Sequence, residues 1–476
     1  MVAALVALCV ACSGSGNGGS HAEQPTTSGT PGAGVTTPNS PGTTPTTKPN
    51  SSGPRGRVVF VPGYIDSTGK SDVTDALQHF INTAKDGSVL KFHRLGHYRA
   101  EGSLVVGNRH RLTFDGQGAV VFASKRGARD RSQWWVKRGG QIIFRDLKVR
   151  GVNPNGGTSK AAYVRKLETQ HGFKFEGVQG AELDHVEVSD VYGDFVYITR
   201  DKHKVPARNI WIHDSTFRRN GRQGIAVVAA NNVIVEHNTF DHTRRSTIDL
   251  EPNARSWLVS NVFVLHNSVG KGRLLFVASH GQGAVNNVVI SGNQLHGHDL
   301  TIDAMAPGKQ RRSNWVVTDN KSDTTIHHRP MRFFGIDGLV VKGNTQLVSS
   351  KQPGVVMTDD CGTHVSRNEF GSGGVRRVGA TCAAALAIPK EPLIFDRGQT
   401  PTSTTTAPTT TTSPATPGST LPGSGPRAPG GGNGLAGWFV LALGVLVLAV
   451  AVLMARSRRR KRRGDPPEGG PAQLPP

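Results

Sequence analysis

Short runs of alternating apolar and polar residues fill the stretch between residues 209 and 370, and one of them keeps returning. It reads Asn209-Ile-Trp-Ile, Asn232-Val-Ile-Val, Asn261-Val-Phe-Val, Asn287-Val-Val-Ile and Asn314-Trp-Val-Val, then Gly338-Leu-Val-Val and Gly362-Thr-His-Val. From the second copy on, another asparagine stands six residues after each start: Asn238, Asn267, Asn293, Asn320, Asn344 and Asn368. Two positions further comes a residue that is often large and apolar, such as Phe217, Phe240, Leu295 or Phe370. The spacings of 29, 26, 27, 24 and 24 residues between these asparagines are too short for a propeller blade and suit one coil of a parallel β-solenoid. In such a coil, side chains alternate between the interior and the outer face. Coils paired in register, about 4.8 Å apart, stack like residue on like. Asparagine suits the turns because it tolerates the left-handed conformation and its amide can bond to the next coil. A ligand-binding column is the other reading of the asparagines; turn chemistry favours a structural ladder.

Upstream, 141–144 (QIIF) and 181–186 (AELDHV) read as earlier, less regular coils. Residues 73–84 (VTDALQHFINTA) predict an amphipathic helix with Val73, Leu77 and Ile81 on one face and Ala76 and Phe80 beside them. It falls where the stack needs a cap, because an open end would expose core and strand edges.

The ends of the chain read differently. Residues 1–12 are apolar and end in small residues, as a secretory signal does. No Lys or Arg precedes the run, which points to a start site other than Met1. Cys12 follows Val10-Ala11 as in a lipoprotein signal, although Cys9 stands where that pattern has leucine; lipidation and ordinary cleavage both remain open. Residues 13–56 and 391–434 are rich in Ser, Thr, Gly and Pro and read as disordered linkers. The uncharged run 435–455 is long enough for a transmembrane helix. The basic tail 456–476 that follows places the C-terminus in the cytoplasm and the domain at 57–390 outside the cell. Leu421-Pro-Gly-Ser-Gly425 resembles a sortase signal with serine in place of threonine, which would attach the protein to a cell wall. Cys361 and Cys382, about one coil apart, suit a disulfide in an oxidising compartment better than a metal site, which needs more ligands.

Net charge changes the choice of partner. The chain carries +22, from 56 basic and 34 acidic residues. The tail holds seven basic and two acidic residues, which leaves about +17 on the rest. An anionic partner follows, and outside the cell that is an anionic polysaccharide or cell-wall polymer rather than nucleic acid. A solvated basic surface without a ligand is the plain alternative.

Residues 65–122 resemble the opening of the pectate-lyase-like superfamily, which includes pectate lyases and polygalacturonases, and the resemblance extends over about 57–385. It implies an all-β right-handed single-stranded parallel β-helix with an N-terminal capping helix. Three coils align by their strands at 169–175 (TQHGFKF), 192–198 (YGDFVYI) and 221–227 (GRQGIAV). They bring His171, Asp194 and Gln223 into one polar column. That column is similar to the place where polygalacturonases carry Asn-Thr-Asp, Asp-Asp and Gly-His-Gly. Asp194 keeps the residue type, whereas His171 replaces an aspartate and Gln223 a histidine.

On the next coil, 245–251 (RSTIDLE), alternation turns Arg245, Thr247, Asp249 and Glu251 outward, with Arg222 one coil below and Asp303 two coils above. Asp249 and Glu251 are expected roughly 6.5 to 7 Å apart along the strand, near the separation of an inverting glycosidase pair. Asp194, Asp249, Glu251, His171 and Asp303 are the catalytic candidates. Arg222, Gln223, Arg245, His280 and Tyr197 are the substrate-binding ones, with Phe276 as a further groove residue. Paired arginines can hold a uronate carboxylate. A hydrolase needs no metal; a lyase would use His171 or a lysine as base and bring in Ca2+. The leading expectation is therefore a glycoside hydrolase or polysaccharide lyase. A non-catalytic carbohydrate-binding or adhesion module and a structural surface spacer are the alternatives.

Overall fold

The computed structural model describes residues 56–306, 310–324, 330–346, 353–370 and 374–379. Outside them lie the expected signal with Cys12, nearly all of the first linker, the whole second linker with Leu421–Gly425, the 435–455 span, the basic tail and Cys382. No helix among the described residues is long and apolar enough to cross a membrane.

The chain winds as a parallel β-helix. Each coil lays down short strands that pair in parallel with the coils below and above, and among the described residues the three resulting sheets hold 12, 11 and 11 strands. The first sheet runs from Val58–Phe60 to Cys361–Ser366 and carries the recurring phrase. The second runs from Thr68–Asp72 to Thr345–Gln346, and the third from Leu104–Gly107 to Val375–Val378. Register is the one that the phrase predicts: Ile210, Val233, Val262, Val288, Trp315 and Leu339 are successive partners. All six are buried. Aromatic rings stack in the same way, Phe114 on Phe144 at 4.6 Å and Phe217 on Phe240 at 5.0 Å between centroids. Each such side chain contributes about 1.5–3 kcal/mol by leaving water, so stability is spread along the stack.

The expected capping helix, α1, spans Thr74–Thr83 and buries Leu77, Phe80 and Ile81. It also closes a strand edge. Gln78 accepts from the Val105 N–H at 2.7 Å and donates to its carbonyl at 2.8 Å, on the terminal strand of the third sheet.

Two asparagine ladders run up the turns on either side of the first sheet. In the buried one, the side-chain oxygen of each asparagine accepts both the backbone N–H and the amide of the asparagine one coil below. The links run from Asn238 through Asn267, Asn293, Asn320 and Asn344 to Asn368 at 2.8–3.1 Å. Each amide also donates to a carbonyl such as Ile212 or Val264. Where the first copy lacks the asparagine, Ser215 takes its place and donates its own N–H to Asn238. The second ladder is formed by the asparagines that open the phrase. Asn209, Asn232, Asn261, Asn287 and Asn314 all have φ between 55° and 61°. The same left-handed turn explains the weaker copies, since Gly338 (φ 76°) and Gly362 (φ 55°) supply that conformation without a side chain. At the last of these strands, Cys361 is disulfide-bonded.

Asn293→Ala should destabilise the fold by about 2–3 kcal/mol, because it orphans buried donors on Asn267 and removes the amide that the Val264 carbonyl accepts. Asn287→Ala, in the half-buried ladder, should lose less than half as much. Chemical denaturation of the two variants checks the ranking, and equal losses would contradict it.

Candidate functional site

The third sheet presents the candidate residues. Phe173, Val196, Ile225, Ile248, Val277 and Ile302 pair in register and fill the interior. Their neighbours Lys174, Tyr197, Ala226, Asp249, Ala278, Asp303 and Arg332 form the outer column. Alternation breaks at the corner before each strand. Phe276 and Thr247 are therefore buried rather than outward, and Phe276 belongs to the core.

His171, Asp194 and Gln223 come together at the strand entrances, all buried. Asp194 accepts from the Gln223 N–H at 2.8 Å with one oxygen and from Arg222 Nη1 at 2.8 Å with the other. Gln223 then spans to the next coil, donating to Asp249 at 2.6 Å and accepting the Ser246 N–H at 2.9 Å. His171 Nδ1 accepts the Asp194 N–H at 3.1 Å, and its ring stacks on Tyr197 at 4.7 Å. Arg222 reaches three carboxylates: Asp194, Glu251 at 3.6 Å and Glu168 at 3.8 Å.

Burial dominates the electrostatics. It lowers the His171 pKa well below the usual imidazole range, and Arg222 and Lys174 add to this, so the ring is neutral. The 3.3 Å approach of His171 to the Asp194 carboxylate is therefore not an ion pair. Burial lifts the Asp194 carboxyl to about 6 even against Arg222, and the Tyr197 hydroxyl to about 12. Asp249 lies well above the carboxylate range, first through burial and then through Glu251. Glu251 is its neighbour two positions along the same outer face. The remaining candidates stand apart. Asp303 sits beyond Ala278 with His280 at 3.4 Å and Arg332 bonded to it. Burial opposes its charge, but His280 and Arg332 outweigh that and hold its pKa below the usual range. Arg245 lies over the Tyr163 ring at 5.3 Å.

Residues 136–328 match the family described as right handed beta helix region. The chain carries a right-handed β-helix. No curated protein matches it. Among solved structures, the β-helix is similar to the Streptococcus pneumoniae surface protein and adhesin PfbA at 14% identity, covering 68% of this chain and 100% of that one with a TM-score of 0.49. It is similar to an endo-xylogalacturonan hydrolase from Aspergillus tubingensis at 13% identity, over 69% and 100% of the two chains, TM-score 0.49. An alginate lyase from Paenibacillus sp. str. FPU-7 matches at 11% identity over 69% and 99%, TM-score 0.40. These likenesses leave the reaction open.

Sequence reading missed Glu168 and Tyr163. Both come from an insertion between the strands Lys148–Arg150 and Phe173–Glu176, with two short 3-10 turns at Lys160–Ala162 and Arg165–Leu167. The insertion folds against the column. A Cβ on Gly193 would stand 2.7 Å from the Glu168 carbonyl and 2.8 Å from His171 Nδ1, so only glycine fits beside Asp194. The Tyr163 hydroxyl donates to Glu168 at 2.6 Å. The available signal was length: the chain between Trp134 and its partner Phe173 is far longer than that between Phe173 and Val196.

Chemically, the β-helix thus offers one buried carboxyl, Asp249, of raised proton affinity and one carboxyl, Asp194, bonded to arginine. Environments that push neighbouring carboxyls apart in this way mark acid–base assignments. Because folding raises the Asp194 pKa, its contribution to stability is present below about pH 4, the unfolded value, and is lost as pH rises through about 6. Melting temperatures measured from pH 4 to 7 should therefore shift in favour of Asp194→Asn relative to wild type. A constant difference across that window would contradict the assignment.

Proposed function

We propose that the β-helix cleaves a polysaccharide laid along the outer column of the third sheet, by protonating a glycosidic oxygen. The observation that carries this is the burial of Asp249 behind Glu251, which together with the Glu251 charge raises its pKa well above the carboxylate range. A carboxylic acid kept neutral near physiological pH is what general acid catalysis requires. Glu251 is the half-buried member and meets the sugar, while Asp249 is buried behind it. Arg222 braces Glu251 from one side, and Asp194 holds Arg222 and the Gln223 backbone in place. Asp249 and Asp303 lie in register two coils apart, about 9–10 Å at the backbone, and that is of the order of an inverting pair.

A uronate lyase fits less well. Of its candidate bases, His171 is buried with Nδ1 already accepting a backbone N–H, and Lys174 on the outer column is salt-bridged to Glu176 at 2.8 Å. A non-catalytic glycan-binding module is the second reading. The full satisfaction of Asp194 within the protein favours it, since such a group can serve purely as scaffold.

The test is to incubate the full-length chain with neutral and acidic polysaccharides and follow reducing ends and ultraviolet absorbance. Hydrolysis releases reducing ends without absorbance, lysis releases unsaturated ends that absorb, and a binding module releases neither. Glu251→Gln and Asp249→Asn should each lower turnover by about 10²–10⁴-fold. Activity should fall on the alkaline side as the Asp249 proton is lost. Undiminished turnover in both variants would remove the pair from the mechanism.

A further inference from the structure

Arg222 and Arg245 were the expected anchors for a substrate carboxylate, yet three carboxylates of the protein already surround Arg222. The positive charge left for a ligand lies one coil further along. Arg245 follows Arg222, its N–H bonded to the Arg222 carbonyl, and Arg273 follows with its N–H bonded to the Thr243 carbonyl. Arg244, Arg245 and Arg273 thus gather at one corner of adjacent coils. Among the described residues, none of them pairs with a carboxylate. Arg245 lies over Tyr163, Arg273 donates to the Thr158 carbonyl at 3.3 Å, and Arg244 has its Nε buried without a partner. Thr243 and Thr247, which flank the pair in sequence, are 1% and 0% exposed, and each has a hydroxyl without a partner. The arginines are close enough to repel: burial, then Arg273 and Arg245, lowers the pKa of Arg244. Tyr163 and Thr158 both belong to the insertion at 151–170, which therefore borders this corner and also reaches Arg222 through Glu168.

We propose that Arg244, Arg245 and Arg273 form an oxyanion site that takes the carboxylate or sulfate ester of an acidic glycan lying beside the Asp249–Glu251 pair. Guanidinium groups bind both oxyanions through paired hydrogen bonds. An anion there would offset the mutual repulsion and give the buried donors a partner. The inference rests on the reading of this face as glycan-handling, but it concerns binding and not turnover.

Binding to the full-length chain is measured by calorimetry with three probes: an oligogalacturonate, a sulfated galactan oligosaccharide and a neutral xylo-oligosaccharide. At least one acidic probe should bind in a salt-sensitive manner, and the neutral one should not. The acidic probe that binds identifies the group as carboxylate or sulfate. Arg245→Ala and Arg273→Ala should each weaken that binding about tenfold or more. Arg208→Ala, on the exposed face of the first sheet, should leave it unchanged. Binding should persist in Glu251→Gln. Loss of turnover with binding intact would thus bear on the acid pair alone. The site is overturned if neither acidic probe binds, if the two arginine variants bind as wild type does, or if Arg208→Ala weakens binding equally.

Discussion

Everything in this molecule depends on coils stacking in register, and the buried asparagine ladder enforces that register. An asparagine at this turn has one partner above, one below and a carbonyl beside it. A slip of one residue would break all of these in a setting without water to replace them. The ladder therefore does for the turns what the apolar stacks do for the strands. Because it repeats over several coils, it also fixes which outward residues become neighbours. The column that holds Tyr197, Asp249 and Asp303 is a consequence of that register and not of any local motif.

On this scaffold the polar face divides into two kinds of charge. Asp194, Arg222, Gln223, Asp249 and Glu251 form a closed network in which most donors and acceptors are satisfied internally. Such a network holds side chains still and shifts proton affinities through burial. The arginines at the next corner have no such partners among the described residues. On the proposed reading, position is held by one group and ligand charge is left to the other, so that a binding and acid–base face would share a few coils without mutual neutralisation.

Much of the fold was legible in the sequence because it depends on repetition. The asparagine spacing, the capping helix and the register of the apolar strands follow from periodicity, and even Gly338 and Gly362 are readable once the left-handed turn is recognised. The site was legible as a neighbourhood and not as a geometry. Alternation placed Asp249 and Glu251 on one face but could not show that Asp249 is buried and bonded to Gln223 from the coil below. It misplaced Phe276 and Thr247, because corners suspend the period of two. It could not supply Glu168 and Tyr163, which reach the column from an insertion with no repeat of its own.

The central claim is that burial and Glu251 raise the Asp249 carboxyl well above the usual carboxylate range. Titration of the aspartate side-chain carboxyls by 13C NMR, with Asp249→Asn to assign the resonance, tests it most directly. The account predicts that the signal lost in the variant titrates well above the ordinary aspartate value in the wild type. A signal that titrates near the ordinary aspartate value of about 4 would contradict it.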